Sequence, residues 1–445
     1  MDTSRLTEGV IWKKLLFYFF PILLGAFIQQ FYTIADAIIV GQFAGKNALA
    51  AVDAASPFMR LFVNMFTGLA TGVSIIVAQL YGAGRFSDLR KASGTATAFA
   101  FIAGAAVMLL GLAVAGVCLE AMQVPGDLQP LALDYARISF AGMVPMLVYN
   151  IGAGILRAVG DAKRPFYFLV IGCLLNIGLD YLFIGLWGWG AAGAAWATNI
   201  AQSASAALVI AALTRAPRSH RLCIRSIGVA GPLLKKIIAT GMPVALQLST
   251  YPFANMLVQS GINQFGTDAI AAWAISGKLD VILGTVMGAF GVTISNFAAQ
   301  NYGAGKIDRV LRGARVWMAI GVGSVGLMTV ALYAFCRPLA YLFIDDEAVV
   351  ALSVHVFRFI APFYCTYLFG EILSGVIRGA GETFRPMLIA VFGVCVLRVV
   401  WILLAVPYNR TLDMTLACYP ITWVFTSAAL VLYYFRFRRG RLQST

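Results

Sequence analysis

The chain has few charged residues and few histidines, and its cysteines lack the spacing of a metal-binding or redox motif. Charged residues make up 12% of its 445 residues, whereas soluble domains carry about 25%. The two histidines, His220 and His355, are far apart, and none of the seven cysteines is paired in a CxxC or metal-ligand spacing. The low charge excludes water as the main solvent of the chain. The scattered histidines and cysteines exclude a metal site built from these residues.

Long apolar runs take the place of charge, with 60% of the chain hydrophobic. Runs such as 94–118 and 316–335 reach or exceed the length of about 20 residues that a membrane helix needs. Backbone amides in lipid need internal partners, which leaves helices or closed barrels, and continuous runs favour helices. We therefore predict an all-α integral membrane protein with twelve transmembrane helices, at 15–43, 50–80, 93–117, 131–156, 166–186, 191–214, 234–262, 270–300, 313–335, 348–377, 387–406 and 413–435.

The sequence contains an internal repeat. Gln79-Leu80-Tyr81-Gly82-Ala83-Gly84 returns 221 positions later as Gln300-Asn301-Tyr302-Gly303-Ala304-Gly305, and the segment 154–165 returns as 375–386 at the same shift. We predict two pseudo-symmetric six-helix lobes around a central cavity, with an N-lobe at 1–214, a cytoplasmic linker at 215–236 and a C-lobe at 237–445. The glycines of the repeated motifs are expected in left-handed turns that end helices. Related bundles around a cavity are typical of transporters that alternate access.

The formal net charge of +14 is unevenly distributed. With the N-terminus placed inside, the connections on the inner side receive most lysines and arginines, and the outer connections receive only Lys46, Arg337 and Arg410. This asymmetry predicts a multi-pass protein of the cell membrane with both termini in the cytoplasm. The basic balance then reflects topology and contact with the lipid bilayer, and no nucleic-acid partner is expected.

Carboxylates embedded in the predicted spans are the clearest functional candidates, because charge inside a membrane is costly. The repeat supplies a control: Asp36 aligns with Val258, and Asp180 aligns with Trp401. One half builds the same helices without these acids, so function is the better explanation for them. The embedded carboxylates are Asp36, Asp180, Asp280 and Glu371.

Spacing groups these residues into a first candidate site. Asn176 and Asp180 are four residues apart and share one helix face, and Asp36 ends a polar stripe in the first span. Burial and a neighbouring carboxylate both favour the protonated form of a carboxyl group. Asp36, Asn176 and Asp180 are therefore predicted to hold a proton or a small cation such as sodium. Interhelical hydrogen bonding is the alternative interpretation.

A second candidate site contains Glu371, with Tyr367 one turn before it and Asn255 on the seventh span facing it. Gln259 is a further candidate on the same span. Asp280 is interpreted differently, as a structural ion pair neutralised by Lys278 and Arg60, and a functional role is the alternative interpretation.

The chain resembles the multidrug and toxic compound extrusion (MATE) transporters over nearly its whole length. The matching features are Pro21 and Asp36 in span one, the Tyr-Gly-Ala-Gly motif after span two, and Asn176 with Asp180 in span five. Tyr135 and Thr198 also match. The resemblance implies a cation site in the N-lobe formed by Asp36, Tyr135, Asn176, Asp180 and Thr198.

The resemblance also implies the mechanism and the partners. Pro21 is expected to be a bending point linked to protonation. The protein is expected to be a monomeric antiporter, not an enzyme, that exchanges protons or sodium for cationic or amphipathic drugs and needs no cofactor. Another branch of the family has an acid on span seven, where this chain has Asn255. That departure disfavours a sodium site in the C-lobe.

Three other functions are weighed against transport of drugs. A flippase of lipid-linked saccharides shares the wider fold, but it would need more embedded bases for a diphosphate. A membrane enzyme would need paired acidic motifs, and the cluster at 345–347 stands alone. A passive channel is disfavoured because no filter loop is repeated.

Overall fold

The computed structural model describes residues 5–223 and 227–442, so part of the predicted linker, 224–226, lies outside the described residues. All regular structure in these ranges is helical. The α-helices are α1 Ile11–Ile39, α2 Gly45–Gly82, α3 Phe86–Ala121, α4 Gln129–Ala141, α5 Met143–Ala158, α6 Lys163–Asp180, α7 Gly190–Thr214, α8 Gly231–Asn263, α9 Thr267–Gly303, α10 Ile307–Tyr341, α11 Glu347–Ile360, α12 Tyr364–Gly379, α13 Phe384–Ala390, α14 Leu397–Val400, α15 Leu412–Leu416 and α16 Cys418–Phe437.

Each predicted span corresponds to a helical segment. By length and apolar composition, nine segments of the described chain can cross a membrane, and the bent pair α4–α5 makes a tenth. One of the nine, Ile11–Gly82, contains two predicted spans. The remaining span is α8, which is less apolar than the others. The prediction of an all-α membrane protein with two related sets of six spans is confirmed.

Several helices are interrupted at equivalent places in the two repeats. The axis bends by 46° between α4 and α5, and a short 3₁₀ segment, Ala361–Phe363, separates α11 from α12. A π-helical turn, Tyr181–Leu186, follows α6, and its counterpart Trp401–Ala405 follows α14. Because both repeats have these breaks, the breaks belong to the fold and do not by themselves mark a functional site.

The turn glycines repeat as well. Gly84 and Gly305 have φ of 69° and 70°, and Gly160 and Gly381 have φ of 90° and 93°. These values confirm the left-handed conformations predicted for the two repeated motifs. A third pair with positive φ was not predicted: Gly45 and Gly266, also 221 positions apart, open α2 and α9.

The described chain forms two compact units. The first contains Phe20–Ala245, and the second contains Leu6–Phe19 together with the chain from Leu246 onward. Both boundaries fall within helices, α1 and α8, close to Pro21 and Pro243. The lobe limits 1–214 and 237–445 given from the sequence remain a prediction.

The start of α1 belongs to the second unit because two sets of contacts hold it there. Phe19 packs against Phe290 and Trp317, with ring centroids 4.6 and 5.3 Å away. Before the helix, the backbone of Leu6 donates to Gln300 Oε1 at 3.0 Å and accepts from Asn301 Nδ2 at 3.3 Å. The polar residues of the second repeated motif therefore anchor the N-terminal segment.

The start of α8 belongs to the first unit because small residues let two backbones approach. A Cβ added to Gly68 would lie 2.3 Å from the Cα of Ala245, and one added to Gly72 would lie 2.4 Å from the Cα of Gly241. Small residues at such a crossing allow the close helix packing that is common in membrane proteins.

Gly45 and Gly266 provide a test of the repeated backbone turn. Both combine positive φ with ψ near 180°, a region that is essentially restricted to glycine. We expect Gly45→Ala and Gly266→Ala each to destabilise the protein by about 1–3 kcal/mol, measured as a lower Tm in detergent.

Gly126→Ala is the matched control. Like the other two positions, Gly126 has no atom within 4 Å of an added Cβ, but its φ is not positive. An equal loss of Tm in the control would show that backbone strain is not the cause.

Candidate functional site

Asp36 and Asp180 lie together in the first unit. Asp36 is near the end of α1, and Asp180 is the last residue of α6. Asp180 is fully buried, with 0% of its surface exposed, and Asn176 one turn earlier is 1% exposed. The two carboxyl groups are close enough to share a hydrogen-bonded proton. The spacing argument anticipated that α6 would present Asn176 and Asp180 on one face.

Few hydrogen-bond donors of the protein contact the oxygens of this carboxyl pair. Oδ1 of Asp36, both carboxyl oxygens of Asp180 and Oδ1 of Asn176 are buried and have no hydrogen-bond partner among the described residues. Two carboxylates this close repel each other at low dielectric unless a proton or a cation lies between them. The oxygen-only set suits a hard cation such as sodium as well as a proton.

Tyrosine and threonine side chains complete the surroundings. Thr198 Oγ1 lies 3.0 Å from the hydroxyl of Tyr32 and accepts from Asn176 Nδ2 at 3.4 Å. Tyr135 and Tyr32 are both within electrostatic range of Asp36. The structure thus brings together Asp36, Tyr135, Asn176, Asp180 and Thr198. Tyr32 links Thr198 to this group, and its position four residues before Asp36 was the sequence signal for it.

A cavity of about 360 Å³, including its open mouth, extends from Asn176 and Thr198. Gln202 Oε1 is buried there without a partner, like Asn176 Oδ1. The cavity therefore offers further oxygen atoms to a proton-carrying water or a cation. Its polar lining comprises Gln29, Tyr32, Tyr149, Asn176, Thr198, Gln202 and Ser205.

The second repeat fills the equivalent positions without acids. Val258 is fully buried, and Trp401 donates through Nε1 to the carbonyl of Met414 at 2.8 Å. A polar acid pair is therefore not needed to build these helices.

Glu371 and Tyr367 line a separate cavity in the second unit, together with Gln247 and Tyr251. Glu371 Oε1 accepts from Arg378 Nη2 at 2.6 Å, and this pair is largely buried. Arg378 belongs to the repeated loop motif, so its partnership with Glu371 was missed. Two helical turns separate the residues, and that spacing was the available signal.

Asn255 does not line the Glu371 cavity. Its Oδ1 accepts from Arg398 Nη1 at 2.6 Å, and Gln259 donates to Asn263 instead. Tyr251 and Gln247, one and two turns before Asn255 on α8, line this cavity instead of Asn255 and Gln259. The sequence placed the wrong part of α8 opposite Glu371.

Asp280 has neither of its expected partners. Lys278 makes no ion pair with it among the described residues, and Arg60 belongs to the first unit. The hydroxyl of Tyr364 donates to Asp280 Oδ1 at 2.8 Å. The interpretation of Asp280 as a Lys278 ion pair is therefore wrong, because side chains two residues apart on α9 point to different sides of the helix.

Two related sets of membrane helices, one of which carries an embedded acid pair, define a multi-pass membrane transporter. The MatE family model matches the chain twice, at residues 21–182 and 243–404, once in each repeat. The matches cover more than half of the chain. The protein belongs to the MATE transporter family, and the resemblance seen in its motifs is confirmed.

Relatives and solved structures agree with this membership. The chain is 26% identical to the probable multidrug resistance protein YoeA of Bacillus subtilis (strain 168) over 403 residues, covering 88% of this chain and 86% of the relative. It is also 26% identical to YpnP of the same organism, described in the same words, over 456 residues, with 99% and 98% covered. A solved outward-facing multidrug resistance MATE transporter has a TM-score of 0.92 at 23% identity, covering 100% of this chain and 99% of that chain. This last likeness shows the fold.

The contact between Gly291 and Glu371 provides a test of the second cavity. A Cβ added to Gly291 would lie 2.4 Å from Glu371 Oε1, the atom that accepts from Arg378. We expect Gly291→Ala to displace the carboxylate and break this pair. Breaking this buried ion pair should lower Tm by several degrees, which corresponds to a loss of roughly 1–3 kcal/mol in the free energy of unfolding.

Gly288→Ala, one turn earlier on α9, is the control, because no atom lies within 4 Å of its added Cβ. It should leave Tm unchanged or slightly higher, since alanine favours helix. Equal stability of the two variants would contradict the proposed contact.

Proposed function

We propose that this transporter is a secondary active antiporter, which exports organic cations or amphipathic drugs in exchange for protons. Sodium is the alternative coupling ion. The observation that carries the proposal is the pair of half-buried Asp36 and fully buried Asp180, in which three of the four carboxyl oxygens are buried without a donor among the described residues. Curated relatives named as multidrug resistance proteins support the substrate class.

The acid pair explains how an ion drives the cycle. A close pair at low dielectric holds one proton far more readily than it holds two negative charges. Coupling requires the ion and the drug to bind two conformations with unequal affinity. A proton or sodium ion that enters from outside and occupies Asp36 and Asp180 would favour the conformation that releases the drug.

Pro21 is the proposed bending point of α1. Proline removes one backbone hydrogen bond inside a helix and weakens it locally. Pro21 lies inside α1, two residues after the point where the chain passes from the second compact unit to the first. Asp36 is on the same helix. We infer that ion binding at Asp36 changes the bend at Pro21.

Tyr135, Asn176 and Thr198 are proposed to hold the coupling site in shape. Glu371, with Tyr367, is proposed as a second polar site. Because Arg378 already neutralises Glu371, this second site is better suited to recognising substrate than to binding sodium. Asn255, bound to Arg398, is proposed to act outside it.

Contacts in the structure argue against the alternatives. A flippase would need cationic groups available for a diphosphate, but Arg378 is paired with Glu371. The acidic cluster considered for an enzyme has structural partners: Asp346 caps α11, and Glu347 contacts Arg337 and Tyr341. We further propose that the protein acts as a monomer in the cell membrane, with both termini cytoplasmic.

Efflux of a fluorescent cation from everted vesicles tests the coupling. A pH gradient alone should drive transport, whereas a sodium gradient alone should not. Asp36→Asn and Asp180→Asn should each abolish pH-driven transport, because the pair can no longer exchange a proton.

Asp134→Asn is the control, since Asp134 is an exposed carboxylate in the same unit. The variants should be matched for membrane content. Persistence of pH-driven transport in the double variant of Asp36 and Asp180 would remove the site assignment. If only a sodium gradient drives transport, then sodium and not the proton is the coupling ion.

The exposed thiol of Cys223, in the connection after α7, tests the orientation. A membrane-impermeant maleimide should label it in everted vesicles and not in intact spheroplasts. Cys223→Ser should remove the label. Labelling from outside the intact cell would reverse the proposed topology.

A further inference from the structure

A third cavity lies in the second unit and takes no part in the sites described above. It occupies about 320 Å³ including its mouth, and it is lined by α9, α11, α12 and α16. Four of its eight lining residues are aromatic, and one is a carboxylate: Trp273, Phe357, Tyr364, Tyr419 and Asp280. We call these five residues the aromatic box.

The rings of the aromatic box form two contacting pairs. The centroids of Trp273 and Tyr419 are 5.5 Å apart, and those of Phe357 and Tyr364 are 6.3 Å apart. Aromatic faces attract cations through the ring quadrupole, and several faces around one space are the usual device for binding a quaternary ammonium group.

Asp280 gives the aromatic box a charge that no neighbouring base neutralises at contact distance. Tyr364 donates to its Oδ1, which fixes the carboxylate, while Oδ2 accepts no hydrogen bond from the described residues. The side chain is exposed, so it can be reached from outside the unit. The buried serine of the lining, Ser276, is already bonded to the carbonyl of Ser353 at 3.0 Å.

Arg398 is the base whose charge acts on Asp280. It does not line the cavity, because Asn255 and the face of Tyr419 hold it in place, with the guanidinium carbon 4.1 Å from the ring centroid. Its charge opposes a cation in the aromatic box. Removing Arg398 and removing Asp280 should therefore affect cation binding in opposite directions.

From the carboxylate and the four rings, we propose that the aromatic box binds the ammonium group of an organic cation. This inference rests on the proposed export of such cations, and it assigns their recognition to the second unit, apart from the coupling site at Asp36 and Asp180. Asp280 supplies the charge, and Trp273 supplies a cation–π face.

The test measures equilibrium binding of benzyltrimethylammonium to the purified protein in detergent, with no gradient present, by titration calorimetry. Neopentylbenzene, which replaces the ammonium nitrogen by carbon, is the neutral probe. The unaltered protein should bind the cation at least about tenfold more tightly than the neutral probe, because the cation–π contact and the charge contact both add to its affinity. This comparison needs no variant.

Variants then locate the site. Asp280→Asn keeps an acceptor for Tyr364 and should weaken cation binding about tenfold, and Trp273→Leu should weaken it severalfold. Arg398→Gln should tighten it. Asp268→Asn, which removes an exposed charge from the first turn of the same helix, is the control and should change nothing. Each variant is used only if its elution profile and Tm match those of the unaltered protein.

Equal affinity for the two probes, or unchanged cation binding in both Asp280→Asn and Trp273→Leu, would overturn the proposal. The double variant of Asp36 and Asp180 separates it from the proposed coupling. That variant should bind the cation normally while failing to transport it. If cation binding is lost there and kept in Asp280→Asn, recognition belongs to the first unit.

Discussion

The rest of this transporter depends on one constraint, which is that two carboxyl groups lie next to each other where water is scarce. Asp36 and Asp180 cannot both remain charged without a proton or a cation between them, and the described residues give most of their oxygens no donor. This arrangement is the basis of the proposed ion exchange at the site. Asn176, Thr198 and Tyr32 are joined by hydrogen bonds beside the acid pair. These bonds can hold the surrounding side chains in place whether the pair is protonated or charged.

The internal repeat separates what the fold requires from what one half adds. Turn glycines, helix breaks and π-helical turns occur at matching positions in both halves. The acid pair occurs in only one of them, opposite Val258 and Trp401. The second unit has its own chemistry, with Glu371 neutralised by Arg378 and Asp280 surrounded by aromatic rings. Duplication has therefore produced two units with one architecture and different electrostatics, as expected of a carrier whose ion and substrate need not bind in the same place.

Two helices connect the compact units covalently. The start of α1 packs with the second unit through Phe19 and Leu6, and the start of α8 packs with the first through Gly241 and Ala245. Each helix passes from one unit to the other within a few residues of a proline, Pro21 or Pro243. Proline weakens the helix at that point, so a change at Asp36 lies on an element that both units share.

The sequence alone determined the twelve helical spans, the repeat and the left-handed glycines. It also predicted Asp36, Asn176 and Asp180 as one candidate site, with the last two on the same helix. These follow from local rules, because apolar length, helical spacing and the conformational freedom of glycine act within a few residues. It also singled out Glu371, since an embedded charge stands out in an apolar run. Only the tertiary structure decided the partners. Arg378 neutralises Glu371, Asn255 turns to Arg398, and Asp280 meets Tyr364 and the aromatic box. Such pairings depend on the rotation and offset of one helix against another, and a shift of a single turn exchanges one partner for the next.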